Sequence, residues 1–585
     1  MQKNVYWVAV MSLALSVSGC GPRVPQAVDV GPVADPSSVA KPMADEVVEP
    51  VALAVAPAHP SPAAPTVTLY GSPAMLEEAS TMERLPSSSQ RTVVAAPLHE
   101  SHHGARPSLL ETRERYERLS DNPVKRTVQE SVSTLSLDVD TGSYSNVRRI
   151  LHQGQLPAKD AVRVEEMVNY FPYEVSQAQG AHPFALQTEI ATTPWNSENL
   201  LLRVSVKAVE QNVASMPPAN LVFLVDVSGS MSTRDKLPLV QASLRQLVQQ
   251  LRAQDKVSLV VYAGRVAVEL APTKGDDKAT ILAAIERLTA GGSTAGASAL
   301  ELAYQQARAG FIPGGINRVL LATDGDFNVG ETNVEHIKNM VERQRATGIS
   351  LTTLGYGQGN YNEALMQQIA QVGNGNYSYI DSLQEARKVL VDELSSTFNS
   401  VAADVKLQLE FNPQTVAEWR LIGYENRLLN EADFRNDQVD AVEIGAGKSV
   451  TALYEITPAG QEGLYSQRRY GAAAPVMQST YESDEWGALR IRYKKPGQKT
   501  SIEVAQVVRR TSDDVQPSSE WGFSAAVAAF GQQLRGGTYL NQWTYADTLR
   551  LAKASLGEDA QGYRHGFVQL VELAQSLSPT AAQQR

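Results

Sequence analysis

Three oxygen-bearing side chains, Asp226, Ser228 and Ser230, close the stretch LVFLVDVSGSMS at residues 221–232. Two-residue spacing over a tight, glycine-containing turn aims all three into one small volume. A carboxylate and two hydroxyls are hard oxygen donors, suited to Mg²⁺, Mn²⁺ or Ca²⁺, whereas zinc favours histidine and cysteine. A single turn does not fill an octahedron, so other loops must supply the remaining ligands. Thr294, in the glycine-rich GGSTAGAS at 291–298, and Asp324, in LLATDGDFNVG at 320–330, are the candidates. Asp326, two residues further on, is either a group standing behind the ligands or a solvated loop acid.

Such a cage needs a frame that delivers separate loops to one edge. From 217 to about 397 the chain repeats strand, turn and helix: LVFLV, then KLPLVQASLRQLVQQL, then VSLVVYA and VAVEL, and so on to EARKVLVDELSSTF. Continuous apolar strands alternating with amphipathic helices predict a mainly parallel sheet covered on both faces. Open sheets of this kind place their functional groups at the carboxyl ends of the strands, where Asp226 and Asp324 fall. After Ser400 the alternation returns to period two in DVKLQLEF, WRLIGYE, DAVEIGAG, SVTALYEI, GALRIRYKK and SIEVAQVV, which predicts a sandwich. Two strands between Phe184 and Val209, joined by a turn at Pro194-Trp195-Asn196, precede the α/β unit. That unit is therefore expected to be inserted in a β domain, with the strands at 184–209 pairing with those after 403. SLLETRERYERLS, SYSNVRRILHQGQ and AVRVEEMVNYF predict helices before the insert, and WGFSAAVAAFGQQL and YADTLRLAKASL predict helices after it.

The Asp-x-Ser-x-Ser turn, the threonine loop and the TDG aspartate together resemble the metal-ion-dependent adhesion site of von Willebrand factor A domains. Residue types and order match at Asp226, Ser228, Ser230, Thr294 and Asp324. The alternative, serines that merely cap a helix start, accounts for the first turn alone. The resemblance implies one divalent cation, Mg²⁺ or else Mn²⁺ or Ca²⁺, with a coordination position left for an aspartate or glutamate of a partner protein. Residues 134–173 and 518–537 also look like the flanks of bacterial YfbK-type von Willebrand A lipoproteins, a family that brings no defined biochemical activity. The fold class expected is therefore α/β: a Rossmann-like, doubly wound von Willebrand A domain inserted in or flanked by a β-rich, sandwich-like domain, with helical N- and C-terminal segments. The expected divisions are 1–19, 20–105, 106–215, 216–397, 398–515 and 516–585.

The 585 residues exceed one ordinary core, and a net charge of −11 opposes a nucleic-acid partner. Cys20 is the single cysteine. It follows an apolar run from Val5 to Leu15 that is too short to span a bilayer and reads as a signal-peptide core. Val17-Ser18-Gly19-Cys20 resembles a bacterial lipobox, in which Cys20 becomes the lipidated first residue; an ordinary secretory signal is the alternative. Lipid anchoring places the chain at the cell envelope. Gly21, where an inner-membrane retention aspartate would stand, favours the outer membrane if the cell is Gram-negative. Residues 21–105 hold thirteen of the thirty prolines and read as an unstructured tether. His99, His102 and His103 end that tether and are expected to be solvated.

No enzyme is expected. There is no G-x-x-x-x-G-K-[ST] or G-x-S-x-G, and the one H-E-x-x-H, at His99–His103, falls in the unstructured tether. The DTGS at Asp140–Ser143 matches the aspartic-protease signature, but that chemistry needs two carboxylates sharing a proton, and no second copy occurs. It reads as a turn and helix cap. GYGQGN at 355–360 lacks nucleotide-binding spacing and reads as a loop bordering the metal face, while GNGNYSYI at 373–380 reads as a turn into an edge strand. No small-molecule substrate is evident.

Overall fold

The computed structural model describes residues 114–578 apart from 138–139, 179, 293–296, 326–333, 360, 440, 467–483 and 511–515. All eight residues of the Ala219–Asp226 strand are buried, which explains its unbroken apolar run. It lies in a six-stranded sheet ordered Tyr377–Ile380, Ser350–Tyr356, Ile316–Thr323, Ala219–Asp226, Lys256–Tyr262 and Val266–Lys274. The first five strands are parallel, and Val266–Lys274 closes the edge antiparallel.

Successive side chains of the central strand divide between two cores, as the period of two requires. Leu221, Phe223 and Val225 pack with Val240, Leu244, Ile281 and Phe398. Val222 and Leu224 pack with Leu300, Tyr304, Met340 and Ile369 on the other face. Helices therefore cover both faces, and the sheet has the doubly wound form expected.

Outside this unit, a five-stranded sheet ordered Lys125–Arg126, Val416–Ile422, Ser449–Pro458, Leu200–Ala208 and Phe184–Thr192 faces a second sheet. The second runs Leu428–Leu429, Val132–Ser136, Ser400–Phe411, Glu485–Lys494 and Ser501–Arg509, with Ile444–Gly445 beside Ser400–Phe411. Leu407, Leu409 and Ile491 of one sheet share a core with Leu202, Val204 and Tyr454 of the other. The strand at 200–208 pairs with Ser449–Pro458, so the β domain is assembled from both sides of the insert. A further core joins Tyr144, Val147 and Phe171, before the insert, to Trp521, Phe523 and Phe567 after it.

Four segments depart from expectation. The described part of SLLETRERYERLS, residues 114–120, forms no helix; Arg115 bridges to Asn362 instead, its N–H donating to the Tyr361 carbonyl at 2.9 Å. The pairing with another element overrides helical propensity. VSTLS, between two segments expected to be helical, forms the Val132–Ser136 strand. EARKVLVDELSSTF is interrupted by a π-turn at Lys388–Asp392, where the Lys388 ammonium reaches Glu393 at 2.5 Å and lies 4.5 Å from the Tyr170 ring. A helix at Glu363–Val372, its first turn capped by the Asn362 side chain, was absent from the alternation read in the sequence.

Candidate metal centre

The central strand ends at Asp226, and its parallel neighbour Ile316–Thr323 ends directly before Asp324. Both carboxylates are fully buried. The Ser228 N–H donates to Asp226 Oδ1 at 2.8 Å, and the Thr323 hydroxyl donates to Oδ2 at 3.2 Å. These bonds fix the Asp226 carboxylate at the sheet edge. The Ser228 and Ser230 hydroxyls lie 2.9 Å apart, with Ser230 exposed. Neighbouring oxygens around an octahedral Mg²⁺, at about 2.0–2.1 Å from the ion, stand about 2.9 Å from each other. The spacing of these two hydroxyls therefore fits such an ion.

The loop carrying Thr294 docks on the same turn. Gly291 N–H donates to the Val227 carbonyl at 2.7 Å, and Gly229 N–H donates to the Gly292 carbonyl at 3.1 Å. Gly292 has φ +89° and lies so close to Gly264 that a Cβ would sit 2.7 Å from its nitrogen, so only glycine suits the contact. Thr294 itself lies outside the described residues, as do Asp326, Cys20, His99, His102 and His103. The structure thus brings Asp226, Ser228, Ser230 and Asp324 to one edge, beside the start of the loop that bears Thr294.

Electrostatics at this edge call for a cation. Burial pushes the Asp226 carboxyl up to about 6, with the charge of Asp324 adding to the rise and the Ser228 and Thr323 hydrogen bonds opposing it. Behind it Tyr262, wholly buried, has its phenol raised by burial first and by Asp226 next. The Lys236 ammonium donates to Asp324 Oδ2 at 2.9 Å. Among the described residues no group of three or more His, Cys, Asp or Glu side chains converges to hold a metal, so hydroxyls must complete this donor set. Oxygen donors backed by two buried acids suit a hard divalent cation.

Lys236, Thr323 and Tyr262 did not figure among the residues read from the sequence. A lysine one residue before a helix, against the helix dipole, was the available sign for Lys236. Nothing local marks Tyr262.

The GYGQGN loop does border the metal face. Gly357, at φ +73°, packs on the Lys236 stem, where a Cβ would meet Lys236 Cγ at 2.3 Å. The segment before the insert reaches the same loop: Gly359 N–H donates to Glu114 Oε1 at 3.1 Å, and Gln153 Nε2 donates to Gln358 Oε1 at 2.5 Å. Gly325, next to Asp324, lies against Tyr361 and Asn362, the pair bridged by Arg115. The DTGS segment is structural. Asp140 Oδ1 accepts from the Tyr377 N–H at 2.8 Å and Oδ2 lies 3.4 Å from Arg427. A helix does begin at Gly142, but its Ser143 N–H is satisfied by Glu166 at 2.8 Å, and no side chain of the turn caps it.

Three family models match the chain: "von Willebrand factor" over 110–203, "von Willebrand factor type A domain" over 220–392, and "Uncharacterized protein YfbK, C-terminal" over 396–577. YfbK of Escherichia coli (strain K12) is 50% identical over 471 residues, covering 79% of this chain and 81% of that one. Inter-alpha-trypsin inhibitor heavy chain H3 of Homo sapiens is 24% identical over 273 residues, 43% of this chain and 30% of its own length. A solved von Willebrand factor type A structure from Catenulispora acidiphila covers 67% of this chain and 91% of its own at 16% identity, with a TM-score of 0.37, too slight a likeness to carry an inference. Von Willebrand A domain proteins commonly bind protein partners. With both flanks and the α/β unit matched in order, and half the residues shared over most of YfbK, the chain belongs to the YfbK family of von Willebrand factor A-domain proteins.

Proposed function

We propose that this chain is a binding module held at the bacterial cell envelope by a lipid on Cys20, at the outer membrane in a Gram-negative cell. It grips a partner protein that presents an aspartate or glutamate to a divalent cation, Mg²⁺ first among the candidates. Asp226, Ser228, Ser230, Thr294 and Asp324 hold the cation, and no catalytic step is assigned. One observation carries the reading: the hydroxyls of buried Ser228 and exposed Ser230 lie 2.9 Å apart beside two buried carboxylates on separate loops. A cation there lowers the repulsion of the acids while keeping one side open to a partner.

The test is capture from envelope extract by the chain beginning near residue 106, with Mg²⁺ or with EDTA, beside Asp226→Ala and Thr294→Ala. Capture that needs both Mg²⁺ and the unaltered residues is expected, with both variants folded by circular dichroism. In cells, Cys20→Ser should move the protein from the membrane pellet to the soluble fraction.

A second reading is a structural scaffold with no exchangeable partner. It is favoured by the Lys236 ammonium on Asp324 and by the Glu114 and Arg115 contacts on neighbouring loops. Capture indifferent to EDTA and to both substitutions supports the scaffold and sinks the adhesion reading.

A further inference from the structure

At the other end of the same sheet, a cavity of about 360 Å³ opens between the insert and the sandwich. Arg318, third residue of the Ile316–Thr323 strand, lines it and is 4% exposed. Its Nη1 donates to Thr352 Oγ1 at 2.7 Å, and its guanidinium lies 5.9 Å from the Phe398 ring. Nε has no hydrogen-bond partner, and no carboxylate forms an ion pair with Arg318 among the described residues.

The other cations around the cavity are matched. Lys338 lies 3.0 Å from Glu335, Arg345 lies 4.0 Å from Glu342, and Arg427 lies 3.4 Å from Asp140. Glu443 acts on Arg318 only through space, and accepts from Asn374 Nδ2 at 2.9 Å. Burial pulls the Arg318 pKa down to about 10, against the opposing pull of Glu443. A buried charge without a paired counter-charge is costly, and here it borders an open space.

We propose that this cavity binds a small molecule carrying a carboxylate or phosphate group, with Arg318 as the anchor. The planar guanidinium presents donors that match two oxygens of such a group. The volume suits a compact metabolite, since small-molecule sites begin at about 300 Å³. Asp324 lies six residues along the strand, roughly 20 Å away, so the site is separate from the metal edge and does not depend on the adhesion reading.

The intact chain is titrated calorimetrically with inorganic phosphate and with glutarate at fixed ionic strength, alongside thermal melts. Saturable binding of at least one probe and a higher melting temperature in its presence are expected. Whichever probe binds identifies the source of the oxyanion. Arg318→Met should abolish binding while melting no lower than wild type without probe, because an unpaired buried charge has been exchanged for an apolar chain. Asn339→Trp, at the exposed rim of the cavity, should weaken binding at least tenfold and leave the Mg²⁺ titration unchanged. The proposal is overturned if neither probe binds, or if binding survives Arg318→Met. Should that variant fail to fold, unchanged affinity in Asn339→Trp overturns it equally.

Discussion

Lys236 gives the metal edge a positive charge of its own, 2.9 Å from a carboxylate that a divalent cation would share. An ammonium there screens Asp324 from Asp226, and it also competes with the incoming ion. In Lys236→Met the competition disappears and the screening goes with it. Mg²⁺ should bind about tenfold tighter, the equivalent of about 1.4 kcal/mol. Stability in EDTA should fall, because two buried acids then face each other without a cation. Titration calorimetry and urea unfolding, each with and without Mg²⁺, read the two effects; an unchanged affinity would remove Lys236 from any part in loading. At this scale the gathering of Asp226, Ser228, Ser230 and Asp324 at one sheet edge was legible, because their spacing and strand-end position are local. Lys236 was not, since its approach to Asp324 is set by the seat of the Gly357 loop on its stem.

The last helical stretch of the insert turns on Glu393. Its carboxylate lies 2.5 Å from Lys388, at the π-turn, and 3.1 Å from Lys448, in the sandwich. Burial alone would raise its pKa, but the two ammonium groups outweigh it and hold the group at about 2. A carboxyl held below its unfolded value stabilises the fold above the unfolded pKa, near 4.5, and loses that contribution as pH falls towards 2. Glu393→Gln should therefore melt below wild type at pH 6. The gap should close between about pH 5 and pH 2, in a series of melts across that window. A gap that stays constant with pH would mean that the lysines do not depend on the charge. The helix itself was legible from its period, whereas the π-turn was not: Lys388 also lies over the Tyr170 ring, which it reaches only after docking.

Across the whole molecule, the insert leaves and re-enters the sandwich at one place. Gly447 N–H donates to the Val209 carbonyl, Ala446 N–H donates to the Asn399 carbonyl, and Asn399 Nδ2 reaches Gln211 at 2.5 Å. The sandwich core, from Leu135 to Val508, takes no residue from the insert's sheet. Replacing residues 213–397 by a short Gly-Ser linker should therefore leave a cooperatively folding β domain. It should melt roughly 5–10 °C lower, a loss of a few kcal/mol in a domain of this size. The reason is contacts across the boundary: Arg163 gives up Glu363 at 3.3 Å, and Glu166 gives up Gln367 at 2.5 Å. Near-ultraviolet circular dichroism and calorimetry would show whether the shortened chain keeps a single transition.

By itself, the sequence determined the α/β frame and the strand-end placement of Asp226 and Asp324. A buried strand must be apolar throughout, a covered helix must repeat near 3.6, and an oxygen cage must sit where strands end; each rule acts over a few neighbouring residues. The return to period two after Ser400 marked the sandwich on the same grounds, and strands on both sides of the α/β unit marked the insertion. Tertiary structure alone decided that Glu114 and Arg115 lie on the loops beside the metal edge, that Asp140 serves Tyr377 and Arg427, and that Arg318 borders a cavity. Those contacts join residues up to hundreds of positions apart. They arise when separate cores dock and their leftover polar groups find partners, and no local period or propensity encodes that pairing.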